Sequence, residues 1–248
     1  MAYNGARIDT SATDAVCITL TGEFELTVAD RRLALPRGVE RVLAYLALME
    51  HPVSRTALAG ALWFDTSAQR AANNLRTTLW RLSRVGVRVL SAAPDRLGLS
   101  LNVRVDVTEL SRLSQRLIHE ANTDDLSRLP LLVRHAELLP DWDDPWVVAD
   151  RERFRLLRLE ALEHAASALI ERNHLGDALI AALASVRAEP LRESSRRLAI
   201  RVHISEGNVV EALRSYREYQ ALLWEELGIE PSGLMQQLIE PLTVRSGE

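Results

Sequence analysis

RAANNLRTTLWRLSR, residues 70 to 84, decides how the first part of this chain is read. At a helical period, Ala71, Ala72, Leu75, Leu79 and Leu82 form one narrow apolar stripe. The opposite face carries Arg70, Asn73, Asn74, Thr77, Trp80, Arg81 and Arg84, and no carboxylate interrupts the segment. Major-groove readout needs this inventory: Arg pairs with guanine edges, Asn with adenine, Thr with phosphate or a thymine methyl. A plain solvated helix has the same outline, so the flanking sequence must separate the two readings.

Charge separates them. Between Thr66 and Arg104 lie seven arginines (70, 76, 81, 84, 88, 96, 104) and one acid, Asp95. The net charge of −4 therefore combines a surplus of six positive charges here with −10 over the rest. A basic patch in an acidic chain is the pattern of a DNA-binding module joined to one that does not touch DNA. The chain contains no lysine, and arginine suits bidentate contacts.

Local patterning on either side predicts a winged helix. VCITLTGEFELTVADRRLAL, residues 16 to 35, alternates into three short antiparallel strands. After Pro36 a helix is expected from Val39 to Met49, closed by His51-Pro52. Ser54 is the expected N-cap of a helix from Arg55 to Trp63, with Leu58, Ala61 and Leu62 inward. A polar loop, Phe64 to Gln69, leads into the Arg70 helix. VRVLSAAPDRLGLSL then reads as two strands joined at Ala93-Pro94-Asp95-Arg96. Strands, helix, helix, loop, helix and hairpin make an OmpR-like winged helix, whose third helix enters the groove. Arg96 is placed at the hairpin tip, in reach of a minor groove.

Asn102 to Asp106 reads as a linker, and the residues beyond it read as helical. Helices are expected around Leu110–Leu117, Leu126–Leu139, Val147–Arg172, Leu175–Ala188, Glu193–Glu206, Val209–Leu227 and Leu234–Ile239. LGDALIAALASVRAEP and VVEALRSYREYQALLW superpose at an offset of 34, with Ala178 on Ala212, Ala182 on Tyr216 and His174 on Asn208. That period is the tetratricopeptide spacing. Two repeats need flanking helices as caps. The expected fold class is mainly α with a small β component: a disordered arm over 1–15, a winged helix-turn-helix over 16–104, and an all-α tetratricopeptide-like domain over 105–248.

Taken together, the chain resembles the SARP family, the actinobacterial antibiotic regulatory proteins. ALWFDTSAQRAANNLRTTLWRLSR resembles the family's second helix, loop and recognition helix. LLPDWDDPWVVADRERFRLLRLEAL and NVVEALRSYREYQALLWEELGIEPS resemble hallmark stretches of its bacterial transcriptional activation domain. The resemblance runs from about Val16 to Leu242, and no ATPase or sensor segment comes after it, as in a small stand-alone member. It implies a cytoplasmic transcription activator of a secondary-metabolite gene cluster. It implies double-stranded DNA as partner, bound at direct repeats by a head-to-tail dimer. RNA polymerase, including its sigma subunit, is the second implied partner, met through the loop that here carries Phe64, Asp65 and Thr66. Trp80 stands where the family more usually has a small residue.

Other chemistry is not expected. No phosphate-cradling glycine motif and no nucleophile elbow occurs. The histidines (51, 119, 135, 164, 174, 203) lack a ligand spacing, so neither metal, cofactor nor enzyme activity is expected. Asp141, Asp143 and Asp144 read as the turn opening the long helix, with Trp142 and Trp146 as core anchors. Arg151, Arg155 and Arg158 read as a solvated face paired to neighbouring acids. Cys17 reads as a small buried hydrophobe. No apolar run nears the roughly 18 residues of a membrane span, and MAYNGARIDTSATDA has neither the basic nor the apolar region of a signal peptide. A peptide-binding adaptor, and a repressor with the same DNA contacts, stay open as alternatives.

Overall fold

The computed structural model describes residues 15–134 and 137–244. The arm expected before Val16 lies, but for Ala15, outside the described residues, as does His135. The chain forms two compact units. One holds the described residues up to Leu110 together with those from 137 to Phe154, and the other holds Ser111–Arg134 and the residues from Arg155 onward.

The first unit contains β1 (Val16–Thr19), β2 (Glu25–Val28), β3 (Arg31–Leu33), α1 (Arg37–Met49), β4 (Val53–Ser54), α2 (Arg55–Leu62), α3 (Ala68–Arg84), β5 (Leu90–Ala92), β6 (Arg96–Leu99) and β7 (Val103–Val105). The expected meander forms, with β1–β2 and β2–β3 antiparallel. Its second turn puts Ala29 and Asp30 at φ 47° and 60°, as a two-residue hairpin loop of the primed type requires. Residues 102–106 are not a linker. Val103–Val105 is a strand that pairs in parallel with β1, and Val105 is buried. Its partner lies 87 residues away (Val16 opposite Val103), which no local periodicity encodes.

Two short sheets result, ordered β3-β2-β1-β7 and β4-β6-β5. The second is the wing, braced by a strand, β4, that sequence pattern does not reveal. Between wing and helices lies one core: Val42 and Leu46 of α1, Leu58 and Leu62 of α2, Ala71 and Leu75 of α3, and Leu97 of β6. Each large apolar side chain there contributes about 1.5–3 kcal/mol by leaving water, which fixes α3 against α1, α2 and the wing.

Residues beyond the winged helix complete this unit. Leu139 N–H donates to the Leu20 carbonyl at 2.9 Å, and Gly22 N–H to that of Glu137 at 2.7 Å. Trp142 stacks on Phe24 with centroids 6.1 Å apart, and Trp146 meets Tyr45 edge-on at 5.2 Å. The Arg37 guanidinium lies 3.6 Å over the Trp142 ring. Asp144 accepts from Arg41 Nε at 3.1 Å, and its carbonyl accepts from Val147 N–H. The acidic turn thus opens a long helix at Pro145, as its sequence suggests.

The remaining elements are helices α4 (Asp106–His119), α5 (Thr123–Ser127), α6 (Leu129–Arg134), α7 (Pro145–Glu171), α8 (Leu175–Ala188), α9 (Glu193–Ser205), α10 (Val209–Leu227) and α11 (Gly233–Val244). The single helix expected over 126–139 is instead two short ones, because Pro130 lacks an N–H and opens a new first turn. The 34-residue repeat holds in hydrogen bonding. Asn173 N–H donates to Ile170 and His174 N–H to Leu169, while Gly207 donates to Ile204 and Asn208 to His203. Asn173 and Gly207 both sit at positive φ, 59° and 77°, so α7 and α9 end in the same Schellman motif. Ala178 and Ala212 are both fully buried, one at the start of each following helix.

Arg151, Arg155 and Arg158 do not form a solvated face. Arg151 donates to the carbonyls of Leu138 (2.8 Å), Leu139 and Trp142 (2.9 Å). Arg155 pairs with Glu189. Arg158 donates to the Leu132 carbonyl at 2.7 Å, and burial lowers its pKa. Helical periodicity cannot see carbonyl ends brought up by other elements.

Candidate nucleic-acid interface

Helix α3 begins two residues before the expected Arg70, at Ala68. The Ser67 side chain accepts from Arg70 N–H at 3.4 Å and the Ser67 carbonyl from Ala71 N–H at 2.9 Å. The inter-helix loop is therefore shorter than expected, running from Trp63 to Ser67. No acid lies in the first turn, and Arg81 and Arg84 occupy the last, where the helix dipole favours cations.

The buried stripe is Ala71, Leu75, Thr78 and Leu82, with Leu79 half-buried. Ala72, expected on this stripe, is exposed, and Thr78 takes the inward place. It packs beside Gly38 of α1, where an added Cβ would lie at an ordinary van der Waals distance of 3.5 Å from Thr78 Oγ1.

Arg70, Asn73, Asn74, Thr77, Trp80, Arg81 and Arg84 are all exposed and share an arc of about 120° on the helix. Among the described residues no carboxylate pairs with Arg70, Arg76, Arg81, Arg84 or Arg88. Asn73 Oδ1 accepts from Arg76 at 3.1 Å, and Thr77 Oγ1 donates to the Asn73 carbonyl at 3.0 Å. Asn74 keeps its amide free of such local bonds among the described residues. Arg76 and Arg88 extend the uncompensated charge beyond the residues picked from sequence; their signal was the lack of nearby acids.

The other two arginines of the basic stretch are engaged. Arg104 pairs with Glu109 at 2.8 Å. The turn forms as expected over Ala93 to Arg96, where Ala93 N–H donates to the Arg96 carbonyl at 3.0 Å, and Arg96 opens β6 there. Its guanidinium donates to the Pro52 carbonyl at 3.2 and 2.6 Å, which ties the wing to the chain before α2.

In the loop, Phe64 is 68% exposed, so it is not a core residue. Asp65 is exposed and has no ion pair among the described residues. Thr66 is held, its N–H and hydroxyl both bonding the Trp63 carbonyl at 3.2 and 3.1 Å. Beside Phe64 a groove of about 530 Å³ opens between α2 and α3, lined by Arg55, Gly60, Trp63, Ala72 and Arg76.

Among the described residues, no group of His, Cys, Asp and Glu has the arrangement of a metal site. No described helix is long and apolar enough to cross a membrane. The class defined by fold and site is a winged helix joined to a tetratricopeptide-like array, with a basic, acid-free helix face.

Residues 105–242 match the family model of the bacterial transcriptional activator domain. The chain belongs to that family, in keeping with its SARP resemblance. Its family is one of transcription regulators, not of enzymes. It is 29% identical over 217 residues to regulatory protein AfsR of Streptomyces coelicolor, a match covering 82% of this chain and 22% of AfsR. To AfsR of Streptomyces griseus it is 25% identical over 237 residues, covering 91% and 24%. The chain thus spans about a quarter or less of the length of these relatives. Its fold is similar to that of Mycobacterium tuberculosis EmbR, solved in complex with a low-affinity phosphopeptide: TM-score 0.67, 22% identity, covering 94% of this chain and 66% of that one.

Proposed function

We propose that the protein binds duplex DNA through the exposed face of α3 and activates transcription in the cytoplasm. One observation carries this reading: five arginines on and just beyond α3 lack carboxylate partners among the described residues and stand beside Asn74 and Thr77. Uncompensated guanidiniums on a protein of net charge −4 gain most by displacing counterions from phosphates. From Arg70 to Arg84 the face is about 21 Å long, against a major groove about 12 Å wide. Its middle therefore meets bases while its ends reach flanking phosphates. In this reading Arg70, Asn73, Asn74, Thr77, Arg81 and Arg84 contact DNA, and Arg96 positions the wing.

The activator half of the proposal rests on the family and on the loop. Phe64 and Asp65 project from the fold without a packing role, as a contact for RNA polymerase and its sigma subunit would. Binding at direct repeats as a head-to-tail dimer, and control of a secondary-metabolite cluster, derive from the SARP resemblance. The test is duplex binding measured over a range of salt. Wild type should show a steep negative slope of log K against log salt. Arg70→Ala and Arg81→Ala should each lower it by about one counterion if they contact phosphate, or relax preference at one base pair if they contact a base. A folded double variant that binds as wild type does would refute the assignment, and salt-independent binding would favour a peptide-binding adaptor.

A further inference from the structure

Trp80 is the one large aromatic on the polar face of α3, and it is 58% exposed. A solvated indole on that face calls for an explanation, since an exposed Trp forfeits the burial free energy of a large ring. One turn further on, the Arg84 guanidinium carbon lies 5.2 Å from the Trp80 ring centroid. That is within the range of a cation–π contact. Arg84 has no carboxylate partner among the described residues, so the indole is the group that orients it. The pair spans the last turn of α3, with Arg84 at its end. With the middle of α3 over the bases, its ends reach the flanking phosphates, which leaves the last turn to the phosphate backbone.

We infer that Trp80 is a positioning residue that holds the Arg84 guanidinium ready for a DNA phosphate, rather than a reader of bases. This rests on the duplex-binding reading of α3. A guanidinium already stacked loses less rotamer freedom on binding. The gain is the same on every sequence, because all duplexes present phosphates.

A double-mutant cycle in the full chain tests this. The probes are one mixed-sequence duplex and one duplex selected by the protein from a randomised pool, each titrated at several salt concentrations. Thermal melts confirm that the variants are folded. Trp80→Ala should weaken both duplexes alike, by about 2–5-fold, the entropic cost of ordering one long side chain that the stack no longer meets in advance. Arg84→Ala should weaken them further and flatten the salt slope by about one. Adding Trp80→Ala to Arg84→Ala should change nothing more, and Trp80→Phe should restore most of the affinity. Additive losses would overturn the inference. So would a Trp80→Ala variant that changes base preference in the pool while binding the mixed duplex normally, since the indole would then read bases. Wild-type protein with no salt-sensitive duplex binding would fail the parent reading instead, and this one with it.

Discussion

Replacing Glu163 by Gln tests whether the second unit is held by a buried ion pair. Glu163 is 9% exposed and accepts four hydrogen bonds: from Arg192 Nε and Nη2 at 2.8 and 3.1 Å, Ser194 Oγ at 2.7 Å and Ser195 Oγ at 2.6 Å. Ser195 in turn shares a 2.7 Å bond with Ser185, which joins α7, α8 and α9. Burial pushes the Glu163 carboxyl up, but the bonds from Arg192, Ser194 and Ser195 and the Arg192 charge outweigh it and hold its pKa below the ordinary value. Removing one partner of a buried pair costs about 3–5 kcal/mol. Arg192 is 25% exposed and keeps Glu160 at 2.5 Å, so the loss should fall lower, at about 2–3 kcal/mol. Thermal melts at neutral pH should show Tm down by roughly 5–10 °C. The pH dependence has a definite sign. A depressed carboxyl pKa stabilises the fold above the unfolded-state value, and that stability is lost as pH falls through the folded pKa. The gap between wild type and Glu163→Gln should therefore be full at neutral pH and close on acidification. A variant within about 0.5 kcal/mol of wild type at neutral pH, or a gap that widens in acid, would refute the reasoning.

Three further outcomes are expected. Asn74→Ala should weaken selected DNA more than mixed-sequence DNA, because its uncharged amide adds base contacts and no counterion release; gel-shift titrations with both duplexes check this. Arg96→Ala should lower stability by about 1 kcal/mol through loss of the bonds to the Pro52 carbonyl, with little change in salt slope, as urea unfolding beside anisotropy titration would show. Asp65→Ala and Phe64→Ala should leave DNA affinity intact and lower run-off transcription by purified polymerase; full activity at equal promoter occupancy would remove the loop from the polymerase contact.

Several helices were legible in the sequence by themselves because they bury one face, as α3 does. Period and caps fix an amphipathic helix locally, so α8 and α10 fall on their expected bounds and Ser54 caps α2. The repeat was legible too, through Ala178 and Ala212 at an offset of 34, both fully buried; the unlike residues Asn173 and Gly207 adopt positive φ at the equivalent corners. The candidate DNA-facing arc was readable for the same reason, as the complement of the apolar stripe.

Tertiary structure decided what depends on distant partners. Strand β7 exists because β1 offers its edge. Thr78 turns inward beside Gly38 of α1, and Ala72 is left outside. Arg96, Arg151 and Arg158, alike in sequence to free surface arginines, are drawn onto carbonyls of residues outside their own helix or strand. Charge and periodicity are local properties and can be read in order. Which arginines remain free depends on the acceptors that folding brings to them, and among the described residues Arg70, Arg76, Arg81 and Arg84 of α3 are some of those left without a carboxylate partner.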